Sequence, residues 1–277
     1  MYPDIPGLKE HFKGKQLHSH YYRDPQNYKG TKNAVVLAGG LSGRDISLDL
    51  TSTCQQVYLC HRLGRKTYHN PPDNFQERPT ISHVKENGDF VLTNDDVIQN
   101  VDLLVICTGY HMDFPFFNSD LRLSTDGNLK ALDKLYKHIF HVDHPSLCFI
   151  GIPKQVLPFP LMHQQCAYVT AILAESASLP SKFIMEEEIK VRKLKLEESG
   201  QPKHHFHTIG VGYTEYIDEL ATISGIAKNA IVHVKVLRYL IANKIFGDVR
   251  HKDMEFKILN DEEFEVVKSL DQIKLND

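Results

Sequence analysis

The stretch VVLAGGLSGRDIS, residues 35–47, limits what this chain can fold into more than any other feature. The apolar run NAVVLA meets a glycine-rich turn, which leads into LSGRDISLDLTST, where Ile46 and Leu50 stand four apart. That spacing puts both on one face of a helix. A second apolar run, QVYLCHR, comes next. Strand, glycine turn, helix and strand within roughly 30 residues form a βαβ unit, whose strands are parallel and joined by the helix. The prediction is an α/β fold.

A dinucleotide loop wants G-x-G-x-x-G: one glycine for the tight turn, one for close approach of the pyrophosphate, one for helix–strand packing. Here Ala38 holds the first place, Gly40 the second and Gly43 the third. Gly39 stands beside Ala38 and is expected to absorb the strain of its Cβ. The helix that follows can still offer free N–H groups to an anion. Taken alone, the pattern reads equally as a dinucleotide loop or as a glycine-rich turn between strand and helix. The second strand favours the loop. NAD sites carry an acid ~20 residues downstream for the ribose, whereas NADP sites place arginine there. This strand ends in LCHRLGRK, with His61, Arg62, Arg65 and Lys66 and no acid. Such a cluster could also be a solvated basic loop, but with the turn it points to the 2′-phosphate of NADP, which arginine grips through paired hydrogen bonds.

Residues 1–30 are dense in proline, glycine and polar side chains and read as extended loop. TISHVKENGDFVLTN reads as a hairpin about Asn87-Gly88, because both residues tolerate positive φ. LRLSTDGNLKAL repeats that logic at Asp126-Gly127. VDLLVICTGY and SLCFIGIP read as buried strands. LMHQQCAYVTAILAESA is predicted helical, with Met162, Cys166, Val169 and Leu173 as its core stripe. KFIMEEEIKVRKLKLEES follows as a charged helix, and TEYIDELATISG as a third, capped by Gly225.

A formal net charge of −3 gives no electrostatic reason to bind nucleic acid or an anionic membrane. The five cysteines are scattered without a C-x-x-C pair, which fits a reducing compartment. No apolar run approaches the ~20 residues of a transmembrane helix, and the first residues lack a secretory apolar core. A cytoplasmic protein is expected. The segment KHHFH, residues 203–207, invites a metal reading, but no second Cys/His cluster completes a ligand set.

FKGKQLHSHYY fits F-x-G-x-x-x-H-x-x-x-[YF] through Phe12, Gly14, His18 and Tyr22. With HSHYYRDPQNYKG, VICTGY, HPSLCFIGIP, FPLMHQQCAYV and LPSKFIM in order, the chain resembles the flavin-containing monooxygenases over residues 2–225. Within that family it most resembles the insect senecionine N-oxygenase type. The resemblance implies two Rossmann-like units, the first holding FAD and the second, inserted one holding NADPH. This chain opens on YPDIPGL, past where the FAD unit would lie. It is expected to be a truncated chain. Residues 1–30 would be a linker from the FAD domain, 31–107 the NADP-binding domain, and 108–277 the C-terminal part of the FAD and substrate domain.

By resemblance, NADPH reduces FAD, O2 reacts with the flavin, and a small nitrogen or sulfur nucleophile is oxygenated. No side-chain nucleophile or acid–base pair is required, so no catalytic residue is assigned. Gly39, Gly40, Ser42 and Gly43 would form the NADP loop, and Arg62 would meet the 2′-phosphate. His18 and Tyr22 would organise the linker near the nicotinamide half, with a purely structural role equally open. Thr108 and Gly109, with Tyr110, would mark the return to the FAD unit as a hinge. Gln165 would face the flavin ring or serve as a buried capping amide. A homodimer is left open. The alternative function is a non-catalytic NADP- or partner-binding fragment unable to hold FAD.

Overall fold

The computed structural model describes residues 2–63, 68, 71–110, 114–117, 121, 123, 132–227, 231–243 and 248–273. The chain divides into two compact units, one of Met1–Tyr110, Leu240–Phe256 and Val266–Asp277, the other of His111–Tyr239 and Lys257–Glu265.

In the first unit a short helix, α1 (Leu8–His11), precedes β1 (Lys15–His18), β2 (Asn33–Leu37), helix α2 (Leu41–Thr51), β3 (Gln56–His61) and β4 (Phe75–Pro79). A meander of β5 (Ile81–Val84), β6 (Phe90–Leu92) and β7 (Val97–Ile98) leads to β8 (Val101–Ile106). Strands β1, β8, β2, β3 and β4 lie in that order as one five-stranded sheet, parallel throughout. The central strands show why their sequences are apolar without alternation. Ala34 and Val36 face the core that also holds Ile46 and Leu50 of α2, while Val35 and Leu37 face Phe90 and Leu92 of the meander. A parallel strand covered on both faces needs apolar side chains on both. Each fully buried valine or leucine contributes about 1.5–3 kcal/mol.

The Asn87-Gly88 hairpin joins β5 to β6, with Gly88 at φ 86° and Asn87 Oδ1 accepting from Asp89 N. The second expected hairpin, at Asp126-Gly127, lies outside the described residues. Two elements correct the sequence reading. Residues 1–30, read as extended loop, contain strand β1, and FQERP, just before the hairpin and not read as an element, forms β4. Both are edge strands, and KQLH and FQERP carry the polar and charged side chains that edges tolerate, so neither shows a strand pattern.

The second unit holds the two-stranded pair β9 (Leu135–Tyr136) and β10 (Phe140–His141). It also holds helices α3 (Pro158–Leu173), α4 (Lys182–Glu198) and α5 (Tyr213–Ser224), and α6 (Val232–Ala242) as far as Tyr239. Pro158 suits the first turn of α3, where its missing N–H has no helical partner to lose. Ser181 caps α4, and α5 ends at Gly225 with φ 66°, as its sequence predicts.

SLCFIGIP does not form the expected strand; only Cys148 bridges, to Phe140. Gly151 turns left-handed at φ 84°, and Pro153 has no N–H to donate, so a ladder cannot propagate. The stripe read on α3 is also corrected. Its buried face is Leu161, Gln164, Gln165, Tyr168 and Ala171, whereas Cys166 and Leu173 are exposed. No described helix is long and apolar enough to cross a membrane.

Candidate dinucleotide site

The C-terminal ends of β1, β8 and β2 are neighbours in the sheet of the first unit. Open α/β sheets bind ligands at such an edge, where the strand order reverses. The chain leaves β2 at Leu37, and Ala38 N donates to Cys60 O at 2.8 Å. Ala38 then adopts φ 85°, a left-handed conformation that disfavours a side chain. Gly39 is not among the positive-φ residues, so the strain expected at Gly39 falls on Ala38 itself. Gly40 begins α2 in an extended conformation, φ −70° and ψ 178°, and no side chain caps the helix. Among the described residues, the amides that open α2, including that of exposed Ser42, receive no cap from the N-cap side chain, which is glycine.

The three glycines do different things. A Cβ on Gly43 would stand 1.8 Å from Ala38 O, so helix–strand packing demands glycine there. A Cβ on Gly39 would meet Cβ and Cγ of His61 at 3.1 Å. A Cβ on Gly40 would meet nothing within 4 Å. The turn is therefore open over Gly40, beside unopposed helical N–H groups, and this fits a pyrophosphate.

From the adjacent strand, Cys107 N donates to Leu37 O at 2.9 Å, carrying Thr108 and Gly109 beside the turn. Gly109 has φ 82°, and its carbonyl accepts from His18 Nε2 at 3.1 Å. His18 Nδ1 accepts from His20 N at 3.2 Å, so the buried ring is the neutral Nε2–H form. Burial holds the His18 pKa below its ordinary value, against the opposing pull of the Gly109 carbonyl. The rings of Tyr2 and exposed Tyr110 lie 5.6 and 5.1 Å from the imidazole. His18 thus ties the ends of β1 and β8 together at the site.

Tyr22 is placed differently. Its ring stacks on Tyr28 at 5.6 Å and packs against the core that includes α2, with its hydroxyl buried and without a hydrogen-bond partner among the described residues. Burial, with Asp49 next, raises its pKa.

Arg62 follows β3 directly and is exposed; Arg65 and Lys66 lie outside the described residues. Two further groups stand at this end that sequence reasoning missed. Arg44, in the first turn of α2, lies 4.8 Å over the ring of Tyr68. Glu77 of β4 brings a carboxylate to His61 Nε2 at 2.9 Å and to Tyr68 N at 2.9 Å. Arg44 was visible as a cation one residue past Gly43, but nothing in the sequence pairs Glu77 with a residue sixteen positions earlier.

Gln165, in the second unit, lies mid-helix and fully buried. Its Oε1 accepts from Gly151 N at 2.8 Å, and its Nε2 donates to Tyr216 OH at 2.9 Å. Tyr216 OH in turn donates to Lys137 O at 2.7 Å. Gln164, equally buried, has no partner for either amide atom among the described residues. In KHHFH, His207 is buried against His138, Nδ1 to Nδ1 at 2.8 Å, and the described residues hold no group of three or more metal-ligating side chains. Burial pushes the thiols of Cys60 and Cys107 up to about 12, so neither is a nucleophile at neutral pH.

The chain is similar to plant and bacterial proteins. It is 36% identical over 221 residues to the flavin-containing monooxygenase FMO GS-OX5 of Arabidopsis thaliana, covering 78% of this chain and 47% of that protein. It is 38% identical over 207 residues to FMO GS-OX-like 7 of the same plant, covering 73% and 43%. Among solved structures, the S-allyl-L-cysteine S-oxygenase of Allium sativum superposes with TM-score 0.79 at 30% identity, over 89% of this chain and 56% of that one. Tmm from Pelagibacter, at 23% identity, TM-score 0.76 and coverage of 93% and 56%, supports the fold alone. The chain spans about half the length of the curated relatives it matches. The relatives matched in sequence are plant flavin-containing monooxygenases, not insect senecionine N-oxygenases, so these matches carry the family but not the insect N-oxygenase likeness. With an open glycine turn at the sheet edge, and a match over residues 2–69 and 74–259, the chain belongs to the flavin-binding monooxygenase-like family.

Proposed function

We propose that the chain supplies the NADP-binding part of an NADPH-dependent flavin monooxygenase that oxygenates a small nitrogen or sulfur nucleophile with O2. The observation that carries this reading is the open space over Gly40 beside the uncapped start of α2. Bound FAD supplies the redox and oxygen chemistry in such an enzyme. This chain's residues bind and orient. The first-turn amides and Ser42 hold the pyrophosphate, and Arg62 meets the 2′-phosphate. The His18–Gly109 contact keeps the ends of β1 and β8 in place beside the nicotinamide half. Thr108 and Gly109 act as the hinge back to the flavin side. Gln165 serves as a structural tie, because both ends of its amide are already engaged. A sulfur nucleophile is favoured over nitrogen by the 30%-identical structure that is an S-oxygenase by name. The location is proposed as cytoplasmic, and the insect N-oxygenase likeness is kept as the basis for the nitrogen alternative.

Titration of the purified chain with NADP and with NAD tests the proposal. NADP is expected to bind tightly enough to raise the melting temperature. Arg62→Ala should weaken NADP by about tenfold to a hundredfold, the loss of one charged hydrogen-bond partner, and leave NAD nearly unchanged. Equal losses for both cofactors would remove the 2′-phosphate assignment.

A further inference from the structure

Glu77 does more than occupy the middle of β4. Its Oε2 accepts from His61 Nε2 at 2.9 Å and its Oε1 from Tyr68 N at 2.9 Å. The other ring nitrogen of His61, Nδ1, accepts from Leu63 N at 3.1 Å. An imidazole that accepts at Nδ1 carries its proton on Nε2, so neutral His61 donates to the carboxylate. The His61 and Glu77 side chains are 5% and 6% exposed. The pair therefore holds the backbone at Leu63, next to Arg62, and at Tyr68, which carries Arg44 over its ring. The same imidazole lies against Gly39, where a Cβ would come within 3.1 Å. Two cations and the phosphate turn thus share one buried anchor.

We propose that Glu77, acting through His61 and the Tyr68 N–H, is a positioning residue that sets the preference for a 2′-phosphorylated adenosine by fixing Arg62 and Arg44 relative to the turn. The inference rests on the reading that the turn binds NADP. NAD needs only the turn. NADP needs the turn and the guanidinium groups in register, because their paired hydrogen bonds to phosphate depend on geometry. A carboxylate is required at position 77, since it alone accepts from two donors without presenting one. The glutamine of Glu77→Gln sets its own N–H against either His61 Nε2–H or Tyr68 N–H, whichever way it turns.

Calorimetric titration of the full 277-residue chain with NADP, NAD and 2′,5′-ADP tests this, with melting temperature as the folding control. In Glu77→Gln, NADP and 2′,5′-ADP should weaken by about tenfold and NAD by less than about twofold. In an Arg62→Ala background the added effect of Glu77→Gln on NADP should shrink, because the carboxylate acts in part through that arginine. If Glu77→Gln does not fold, His61→Leu/Glu77→Leu gives the same readout without a lone buried charge. Equal weakening of NADP and NAD, no weakening of either, or full additivity with Arg62→Ala would overturn the proposal while leaving the NADP reading standing. A wild-type chain that binds neither NADP nor 2′,5′-ADP would overturn both.

Discussion

Ala38 shows what the motif says and what it hides. G-x-G-x-x-G describes the turn by its glycines, and Gly40 and Gly43 sit where the pattern predicts, one under open space and one against Ala38 O. The pattern does not say which residue takes the left-handed conformation when the first glycine is replaced. Here it is the alanine, at φ 85°, while a Cβ on Gly39 would crowd the His61 ring at 3.1 Å. A non-glycine residue in that region costs about 1–2 kcal/mol, and glycine returns part of this through the freedom of its unfolded chain. Ala38→Gly is therefore expected to stabilise the protein by about 1 kcal/mol, raising the urea midpoint at an unchanged m-value. A lowered midpoint would mean that the alanine methyl packs better than its backbone strains. Glu77 marks the limit of residue-level reading. Its partner is fixed by β3 and β4 lying side by side, and pairing between strands is not written in local sequence.

At the scale of elements, legibility followed the apolar pattern and failed where polar groups do the packing. The α3 stripe Met162, Cys166, Val169 and Leu173 is the more apolar face, yet the helix turns Gln164, Gln165 and Tyr168 inward. Gln165 is bonded to Gly151 and Tyr216, a network that no periodicity reveals. His207 belongs to the same interior. Leu132 N donates to its Nε2 at 3.0 Å, so its Nδ1 carries the proton and donates to His138. Burial, then Arg192 and Lys154, holds His207 down to about 3, against Asp133 and the Leu132 backbone contact. Burial, with Arg192, His207 and Lys137, holds His138 well below its usual range. Both rings are neutral when folded, whereas an unfolded histidine takes a proton below about pH 6.5. Protons therefore bind the unfolded chain more, and stability is flat above pH 6.5 and falls as pH drops toward the folded pKa. Between pH 6.5 and 5, one such histidine costs about 2 kcal/mol. Urea unfolding across that range should show this loss, and His207→Gln should reduce the slope. The same slope in the variant would assign the effect to other histidines.

At the scale of the whole molecule, the βαβ stretch was enough to predict a parallel α/β unit, because burial on both faces leaves the apolar runs Ala34–Leu37 and Leu103–Ile106 in the sequence itself. Strands β1 and β4 stayed hidden because an edge position asks little of their side chains. The residues proposed for the dinucleotide site all belong to the first unit: the ends of β1, β2 and β8, the start of α2, and Arg62 after β3. The second unit keeps its own core, with Tyr168 of α3 and Leu220 of α5 fully buried. Hydrogen exchange should report that separation when NADP binds. First-turn amides of a helix lack intrahelical acceptors and exchange readily, so a phosphate bonded to residues 41–43 gives them acceptors they otherwise lack. At a hundred times the dissociation constant, protection there can rise by up to about a hundredfold, the ratio set by ligand linkage. Amides of α4 and α5 should exchange as before. NAD should protect residues 41–43 in the same way but leave residues 62 and 63 unchanged, since it lacks the phosphate that would hold Arg62. Protection confined to the second unit, or equal at residues 62 and 63 for both cofactors, would move the site away from the turn.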